Sequence, residues 1–203
     1  MRACNARQRN EVSMDNDFTQ HSVSAAKVIG EFHKCGIDFV TTVPDMLQIA
    51  LHQALEDQNN GIRVVPTTTE DQAVEVAAGL YAGGRSVAIL VQNQGFYAAI
   101  NSVRALGLDS KIPMLFVVGQ FGREFANLGK DPRESRRLMV RMLEPLLETL
   151  DIPYWRLEAP GDERHIAAAW AASRERKGPA VLIAGHFMGF AQSNDADKVK
   201  QSV

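Results

Sequence analysis

The chain has 203 residues, a length that suits one compact domain of roughly 100–200 residues. Apolar residues make up 45% of it and charged residues 23%, as in globular proteins, so we expect it to bury a core of its own. The formal net charge is -2, which supplies no broad positive field for a polyanion. We therefore expect no nucleic-acid partner.

The two cysteines, Cys4 and Cys35, argue against a disulfide framework or a zinc site, because they lack the spacing of metal ligands. The first 20 residues carry charges of both signs and no apolar segment, unlike a secretory signal. No later run reaches the roughly 18 apolar residues that span a bilayer. We expect a cytoplasmic protein that does not contact membranes.

The first predicted elements are a helix and a strand. Apolar residues recur at helical spacing over residues 23–32, and Gly36 follows as a stop. The run 39–43 is short, rich in β-branched residues and ended by Pro44, which is typical of a buried strand. The same alternation continues along the chain. Further strands are predicted at 62–65, 86–91, 114–118, 154–157 and 180–183, and further helices at 47–55, 70–82, 96–106, 138–150 and 163–176.

Strands that alternate with helices predict an α/β fold, a doubly wound and mainly parallel sheet of six strands with helices on both faces. The predicted domain organisation is a flexible tail at 1–20, one domain at 21–190 and a second flexible tail at 191–203. Ligands of such sheets bind beyond the carboxyl ends of the strands. Four segments are predicted to lie there, namely 43–45, 66–70, 92–95 and 119–124.

A carboxylate stands at the start of the helix predicted at 70–82. Glu70 comes soon after a strand, and the residues after it are small enough for close packing. One interpretation is structural, in which Thr69 caps the helix while Glu70 and Asp71 favour its positive end. The other is that Glu70 is catalytic, and its position alone does not decide between them.

The segment 69–84 resembles the glutamate helix of the pyrimidine-binding domain in thiamine-diphosphate enzymes. Two more segments match that family in order and spacing, one at 36–45 that ends in Val43-Pro44-Asp45, and one at 91–95 with Asn101 downstream. Together they resemble sulfopyruvate and phosphonopyruvate decarboxylases over residues 23–185. The resemblance implies the pyrimidine-binding type of the thiamine-diphosphate fold.

The resemblance gives Glu70 a catalytic role. In the family, the glutamate at this place hydrogen-bonds N1′ of the aminopyrimidine ring and stabilises the imino tautomer that activates the cofactor. Asp45 has two interpretations of equal weight on the residues alone. It is either the N-cap of the helix after it, or a catalytic group that contacts the substrate and transfers a proton. The resemblance favours the second.

Four further residues are candidates for the cofactor site. The resemblance places Pro44, Gln92, Asn93 and Gly95 on the cofactor together with Glu70, and it places Gln92 and Asn93 on the substrate as well. The alternative for the two amides is that they satisfy the backbone of the loop.

A polar loop is predicted at 119–134, and its basic residues are candidates for binding a sulfonate or phosphonate. Arg123 is the candidate substrate-binding residue. Related phosphonopyruvate enzymes carry Lys-Asp-Glu-Pro near this loop, where the chain has Lys130-Asp131-Pro132. That departure leaves the identity of the substrate open.

A structural interpretation of the basic residues is a solvated helical face. Arg133, Arg137 and Arg141 recur at helical spacing, and Glu134 and Glu144 stand near them in the chain. On the residues alone this interpretation outweighs a role in substrate binding.

The chain lacks the Gly-Asp-Gly segment and downstream asparagine with which thiamine-diphosphate enzymes hold magnesium and the diphosphate. No metal ligands are therefore predicted here. The resemblance implies an alpha subunit that shares the cofactor with a beta subunit, and the beta subunit holds Mg²⁺ and the diphosphate. We expect a hetero-oligomer with at least two copies of each chain. The apolar faces of the helices at 73–82 and 96–106 suit either this interface or the internal core.

The function implied by the resemblance is decarboxylation of a small anionic 2-oxo acid. The first candidate reaction converts 3-sulfopyruvate to sulfoacetaldehyde and CO2, and phosphonopyruvate or another 2-oxo acid comes next. A hypothesis of another class is a scaffold or regulatory subunit without catalysis. Such a subunit has no need of the Glu70 carboxylate, so replacing Glu70 distinguishes the two.

Overall fold

The computed structural model describes residues 19–190. The predicted flexible tails at 1–20 and 191–203 lie outside these residues, apart from Thr19 and Gln20, which belong to a 3-10 turn at Thr19–His21. Six strands form one sheet, and all five neighbouring pairs are parallel. The predicted sheet is thus confirmed. The strands are β1 Phe39–Thr42, β2 Arg63–Pro66, β3 Val87–Gln92, β4 Met114–Gly119, β5 Tyr154–Leu157 and β6 Pro179–Ala184.

The helices follow the predicted alternation. The helix predicted at 70–82 has these bounds in the structure, because small and apolar residues continue to the glycines that end it. The α-helices are α1 Ala25–Lys34, α2 Ile49–Glu56, α3 Glu70–Ala82, α4 Asn93–Ala98, α5 Ile100–Ser102, α6 Leu138–Arg141, α7 Leu143–Thr149 and α8 His165–Arg176. A 3-10 turn at Met46–Gln48 leads into α2, and a π-helical segment at Val103–Asp109 follows α5.

Two predicted helices differ from the structure. The helix predicted at 138–150 is interrupted at Met142, between α6 and α7. Pro145 explains the break, because it has no N–H to donate to the carbonyl of Arg141, four residues earlier. The helix predicted at 96–106 begins at Asn93, directly after β3, so the expected loop at 92–95 is instead the end of β3 at Gln92 and the first helical turn at 93–95.

The order of strands across the sheet is β2-β1-β3-β4-β6-β5. The chain leaves β1 toward one edge to form β2, and then returns across β1 to form β3 on the other side. The direction of winding therefore changes between β1 and β3. In open α/β sheets, this change leaves a crevice at the carboxyl ends of the two strands, where ligands bind.

Two apolar layers cover the sheet. Helices α1, α2 and α8 pack with alternate strand residues such as Leu90 and Leu182 on one face. Helices α3, α4 and α7 pack with Ile89 and Phe116 on the other face, and Phe96 meets the ring of Phe116 edge-on at 5.3 Å between centroids. The apolar faces of the helices predicted at 73–82 and 96–106 were expected to lie either at an interface or in the core. Both faces belong to the core of this chain. Their buried residues are Ala73, Val74, Ala77, Ala78, Phe96, Ala99 and Val103.

Candidate active site

The ends of β1 and β3 meet at the crevice, around the first turn of α4. Asp45 follows β1 and contacts Gln92 at the end of β3. Glu70, the first residue of α3, lies against Gly95 in α4. The structure thus places both predicted catalytic carboxylates, those of Asp45 and Glu70, in contact with the same short segment, 92–95.

Asp45 is buried, with 3% of its surface exposed, and its carboxylate accepts three hydrogen bonds. Oδ1 accepts from the Leu47 N–H and from Gln92 Nε2, each at 3.1 Å. Oδ2 accepts from Gln48 Nε2 at 3.1 Å. The bond from Leu47 confirms Asp45 as the N-cap of the turn at Met46–Gln48. The two glutamines go beyond a cap, because they connect the carboxylate to neighbouring elements.

Gly119, the last residue of β4, leaves room for that carboxylate. A Cβ at Gly119 would lie 1.7 Å from Asp45 Oδ2 and 2.9 Å from its Cγ. Any side chain at this position would therefore displace Asp45. The packing connects the ends of β1, β3 and β4 at one point.

Glu70 is half-buried, and its side chain packs on Gly95 as that of Asp45 packs on Gly119. A Cβ at Gly95 would be 2.1 Å from Glu70 Oε1 and 2.2 Å from its Cγ. The Glu70 carboxyl group forms no hydrogen bond or ion pair with any residue in 19–190. A helix N-terminus favours negative charge, so α3 suits a carboxylate at this place. The carboxyl group is thus held by packing while its oxygens are available to a ligand.

The predicted cap of α3 is wrong in one respect. Thr69 occupies the N-cap position, but its side chain makes no capping hydrogen bond. The Thr69 hydroxyl and the Gln72 N–H both lower the pKa of the Asp71 carboxyl group.

Asn93 and Gln92 differ in what they offer. Asn93 is buried, and its Nδ2 donates to the backbone carbonyls of Phe121 at 3.1 Å and Met139 at 3.0 Å. Both of its amide hydrogens are therefore used on backbone carbonyls, one in the loop, as the structural interpretation predicted, and one in α6. Gln92 is half-buried and gives one hydrogen to Asp45, while its other amide groups bond no described residue.

Tyr97 supports the same loop from α4. Its hydroxyl donates to the Met139 carbonyl at 2.6 Å. Burial raises the pKa of Tyr97 well above its usual range, so the phenol keeps its proton and donates it to this bond. Asn93 and Tyr97 together fix the segment after the loop against the first turns of α4.

Pro44 lies beside this point, on a groove of about 880 Å³ between α2 and the edge strand β2. His52 lines the same groove, and its Nε2 accepts a hydrogen bond from the Asp45 N–H at 3.1 Å. The contact requires an unprotonated Nε2, and burial lowers the pKa of His52. The contact of Pro44 with the cofactor stays a prediction.

We expect the fold to lose stability in acid partly through His52. Its pKa is lower in the folded chain than its ordinary value of 6.5, so the unfolded chain takes up the proton first as pH falls. The contribution of His52 to the free energy of unfolding is fully present above pH 6.5, the ordinary pKa of histidine. It is lost as pH falls from 6.5 toward the lower pKa that His52 has in the folded chain. Urea unfolding at pH 7 and pH 5 measures this loss, which should be smaller in His52→Gln.

His33 supplies the control, because it is an exposed histidine on α1. His33→Gln should keep the pH dependence of the parent chain. The pKa of His186 is also lowered, chiefly by burial, so part of the loss should remain in His52→Gln. If the stability of His52→Gln depends on pH as that of the parent chain does, His52 does not contribute to the loss of stability in acid.

Arg123 is not available to a substrate in this arrangement. Its side chain is 1% exposed, and it pairs with Glu158 at the end of β5, in the space that Gly185 leaves free. Its remaining donors bond Gln120, Asn127 and the Lys130 carbonyl, so all five N–H groups have a partner. The structure gives Arg123 the role of fixing the loop, and the predicted substrate contact is not supported.

Arg123→Met should lower the free energy of unfolding by about 3–5 kcal/mol, because it leaves the Glu158 carboxylate without its buried partner. Chemical denaturation measures the loss. Arg136→Met is the control, since the Arg136 side chain is exposed and should contribute little. A stably folded Arg123→Met with a raised KM would instead favour the substrate role.

The helix predicted to carry Arg133, Arg137 and Arg141 on one face is wrong, although Arg133 and Arg137 are exposed to solvent. Arg133 lies in a 3-10 turn at Pro132–Glu134, before α6 begins, so the helical spacing crosses a segment that is not an α-helix. Its guanidinium pairs with Glu144 and Glu148.

Glu144 is buried rather than solvated. It is 1% exposed and receives two bonds from Arg156, at 2.6 and 2.8 Å. The ammonium group of Lys130 donates to the Ala126 carbonyl at 2.8 Å. Arg133 and Lys130 thus stabilise the loop and its surroundings.

The comparisons with known proteins agree with this geometry. A family model described as the N-terminal TPP binding domain of thiamine pyrophosphate enzymes matches residues 24–139, which hold Asp45, Glu70 and the segment 92–95. The chain belongs to the thiamine pyrophosphate enzymes. The predicted family is thereby confirmed.

Curated relatives within this family are decarboxylases. The sulfopyruvate decarboxylase subunit alpha of Methanococcus maripaludis is 34% identical over 128 residues, 63% of this chain and 72% of that subunit. The subunit of the same name from Methanothermobacter thermautotrophicus is 31% identical over 164 residues, 79% of this chain and 94% of that subunit. The phosphonopyruvate decarboxylase of Streptomyces viridochromogenes is 26% identical over 148 residues, 72% of this chain and 36% of that enzyme.

The residues at the crevice fit the aminopyrimidine half of a thiamine diphosphate. Glu70 offers carboxyl oxygens that no described residue uses, and its side chain packs on the backbone of Gly95. No group of three or more His, Cys, Asp or Glu within residues 19–190 has the arrangement of a metal site. None of the helices in that range is long and apolar enough to cross a membrane.

Sequence reasoning missed two residues of this thiamine pyrophosphate enzyme site. The sequence predicts Gln48 only as part of a helix, although its position three residues after Asp45 suits a contact across one helical turn. The sequence predicts Gly119 only as the start of a loop. A glycine at the carboxyl end of a central strand is a signal for close approach of another group, and here that group is Asp45.

Proposed function

We propose that the chain is the alpha subunit of a two-chain, thiamine-diphosphate-dependent decarboxylase that converts 3-sulfopyruvate to sulfoacetaldehyde and CO2. The observation that carries the proposal is the position of the Glu70 carboxyl group, which lies on Gly95 at the crevice and bonds no described residue. The alpha-subunit relatives support the substrate.

Thiamine diphosphate, when bound, supplies the electron sink that makes loss of CO2 from a 2-oxo acid possible. Glu70 would hydrogen-bond N1′ of the aminopyrimidine and hold a proton there. Gly95 keeps the Glu70 side chain in its place, because no Cβ intervenes. Gln92 has amide groups available for the substrate and is oriented by Asp45.

The partner would be a beta subunit that holds the diphosphate and Mg²⁺ and covers the carboxyl end of the sheet, in an assembly with at least two copies of each chain. Glu70 is only half-buried in this chain, whereas proton transfer at a ring nitrogen is favoured where water is excluded. Several large apolar side chains are exposed after the carboxyl ends of β1, β4 and β6, which supports an interface there. They are Met46, Ile49, Phe121, Phe125 and Phe187.

Phosphonopyruvate is the second candidate substrate, because the Streptomyces phosphonopyruvate decarboxylase matches 72% of this chain. The two substrates share the 2-oxo acid and differ in the anion. The basic residues Arg123 and Arg133 are bound to carboxylates of this chain. The partner is therefore a candidate to supply the group that distinguishes sulfonate from phosphonate.

The test is to tag the chain in its native cells, isolate it with its partner under mild conditions, and assay the complex. Release of CO2 is measured with sulfopyruvate, phosphonopyruvate and pyruvate as substrates. We expect the largest kcat/KM with sulfopyruvate. A preference for phosphonopyruvate would favour the second candidate, and no turnover of any 2-oxo acid would contradict the decarboxylase. The cytoplasmic location inferred from the two cysteines stays part of this proposal.

A further inference from the structure

Gln48 is a buried amide on which the packing of the Asp45 carboxylate depends. It is 0% exposed and lies at the end of the turn at Met46–Gln48. Its Nε2 lies within hydrogen-bonding distance of three acceptors. They are Asp45 Oδ2 at 3.1 Å, the Val91 carbonyl at 3.1 Å and the Val117 carbonyl at 3.2 Å.

The two carbonyls belong to the central strands β3 and β4, close to their carboxyl ends. One side chain therefore connects the carboxylate after β1 to the ends of two further strands. Because β3 and β4 are rigid elements of the sheet, Gln48 fixes where Oδ2 lies relative to Gln92 at the crevice.

The oxygen of the Gln48 amide, unlike its nitrogen, bonds no strand or carboxylate of the described range. Gln48 Oε1 is buried and forms no hydrogen bond with any residue of the described range. A buried polar atom without a partner costs free energy, and an apolar side chain of similar volume would avoid that cost. The presence of an amide here is explained if its N–H groups are needed at Asp45.

Asp45 Oδ2 has no other donor among residues 19–190, because Leu47 and Gln92 both donate to Oδ1. On its opposite side, Oδ2 lies against Gly119. Loss of the Gln48 donor would leave this buried oxygen unpaired, so the carboxylate would turn or move. Gln92, which is held by the same carboxylate, would lose its orientation as well.

We propose that Gln48 is a positioning residue for the decarboxylase: it fixes the Asp45 carboxylate and, through it, Gln92. The inference rests on the proposed function, in which Gln92, oriented by Asp45, contacts the substrate. Gln48 itself is buried behind Asp45 and does not touch the substrate.

A double-mutant cycle in the complete two-chain enzyme tests the inference. Gln48→Met keeps the volume and removes the donor, and Asp45→Asn removes the charge that the donor serves. We expect Gln48→Met to lower kcat by about 10- to 100-fold, as small misplacements at an active site do, with little change in KM. In the Asp45→Asn background the same change should lower kcat by less than about twofold, because coupled residues are not additive.

Gln53→Met is the matched control, since Gln53 is an exposed glutamine on α2 and should leave kcat unchanged. If the Gln48 and Asp45 effects multiply instead, Gln48 acts independently of Asp45 and the inference is overturned. Full activity of Asp45→Asn would instead remove the role of Asp45 in the proposed function. If Asp45→Asn is inactive but Gln48→Met has normal activity, the inference about Gln48 is overturned while the proposed function stands.

A second pair of variants keeps the inference testable if Gln48→Met does not fold. Gln48→Glu keeps the shape of the side chain and turns an oxygen toward Oδ2, so it should lower Tm in the complex. The Asn in Asp45→Asn can donate to that oxygen, so the double variant should regain part of the lost Tm, while the donors to the Val91 and Val117 carbonyls stay lost. An equal Tm in Gln48→Glu with and without Asp45→Asn would contradict the contact.

Discussion

Glu70→Gln in the two-chain enzyme should lower kcat by about 100- to 10,000-fold, the range over which a positioned acid or base contributes to catalysis. The amide has nearly the same shape and still packs on Gly95, so Tm and co-purification with the partner should not change. It cannot hold the proton at the ring nitrogen as the carboxyl group does. Steady-state kinetics with sulfopyruvate, together with thermal unfolding of the complex, measures both expectations.

Glu75→Gln provides the matched control for this substitution. Glu75 lies on the same helix and is exposed, and within residues 19–190 its carboxylate accepts one hydrogen bond, from the Ser102 hydroxyl at 3.3 Å. Its loss should leave kcat unchanged. If Glu70→Gln keeps the parent kcat, Glu70 is not catalytic. The chain would then be better described as a scaffold or regulatory subunit.

Gly95→Ala should lower kcat/KM by about 100-fold, although it adds only one methyl group. The new Cβ would overlap Glu70 Oε1, Cδ and Cγ, so the carboxyl group has to leave its place on α4. A displacement of this size at a reacting centre costs about two orders of magnitude in rate. The change should scarcely affect folding, because the Glu70 side chain has room to turn outward from its half-buried position.

Gly30→Ala is the control for adding a methyl group to a helix. Gly30 lies within α1, and a Cβ there would have nothing within 4 Å. Alanine should raise the free energy of unfolding by about 0.5–1 kcal/mol through helix propensity and leave kcat/KM unchanged. A normal kcat/KM in Gly95→Ala would mean that the observed packing of Glu70 has no part in catalysis.

The fold was predictable from the sequence because its strands and helices carry different hydrophobic periods. The run at 114–118 is apolar throughout, as a strand covered on both faces must be, and β4 is buried along its whole length. The small-residue helix after Glu70 was equally clear. Elements with a strong period of their own need no tertiary information to be recognised.

The candidate site was predictable in part. The alternation of strands and helices places the residues after β1 and β3 at the carboxyl edge of the sheet, so Asp45 and Gln92 were both expected there, and the structure adds the contact between them. Which groups remain available was not predictable, because that depends on contacts distant in the chain. Asn93 uses its donors on Phe121 and Met139, and Arg123 uses one on Glu158, 35 residues away.

Helical spacing was misleading where the chain is not helical. Arg133, Arg137 and Arg141 suggested one face of a helix, but Asp131 caps a 3-10 turn at Pro132–Glu134 and α6 begins only at Leu138. The buried carboxylate of Glu144 likewise has no signal of its own in the sequence. Its burial follows from Arg156, which reaches it from the neighbouring strand β5.

The most direct measurement of the central claim is a calorimetric titration of thiamine diphosphate, in the presence of Mg²⁺, into the isolated chain and into the two-chain complex. We expect one cofactor bound per copy of this chain in the complex and no binding by the isolated chain, because Glu70 and its surroundings form only the aminopyrimidine half of the site. Binding of equal affinity by the isolated chain would contradict it, as would a complex that does not bind the cofactor.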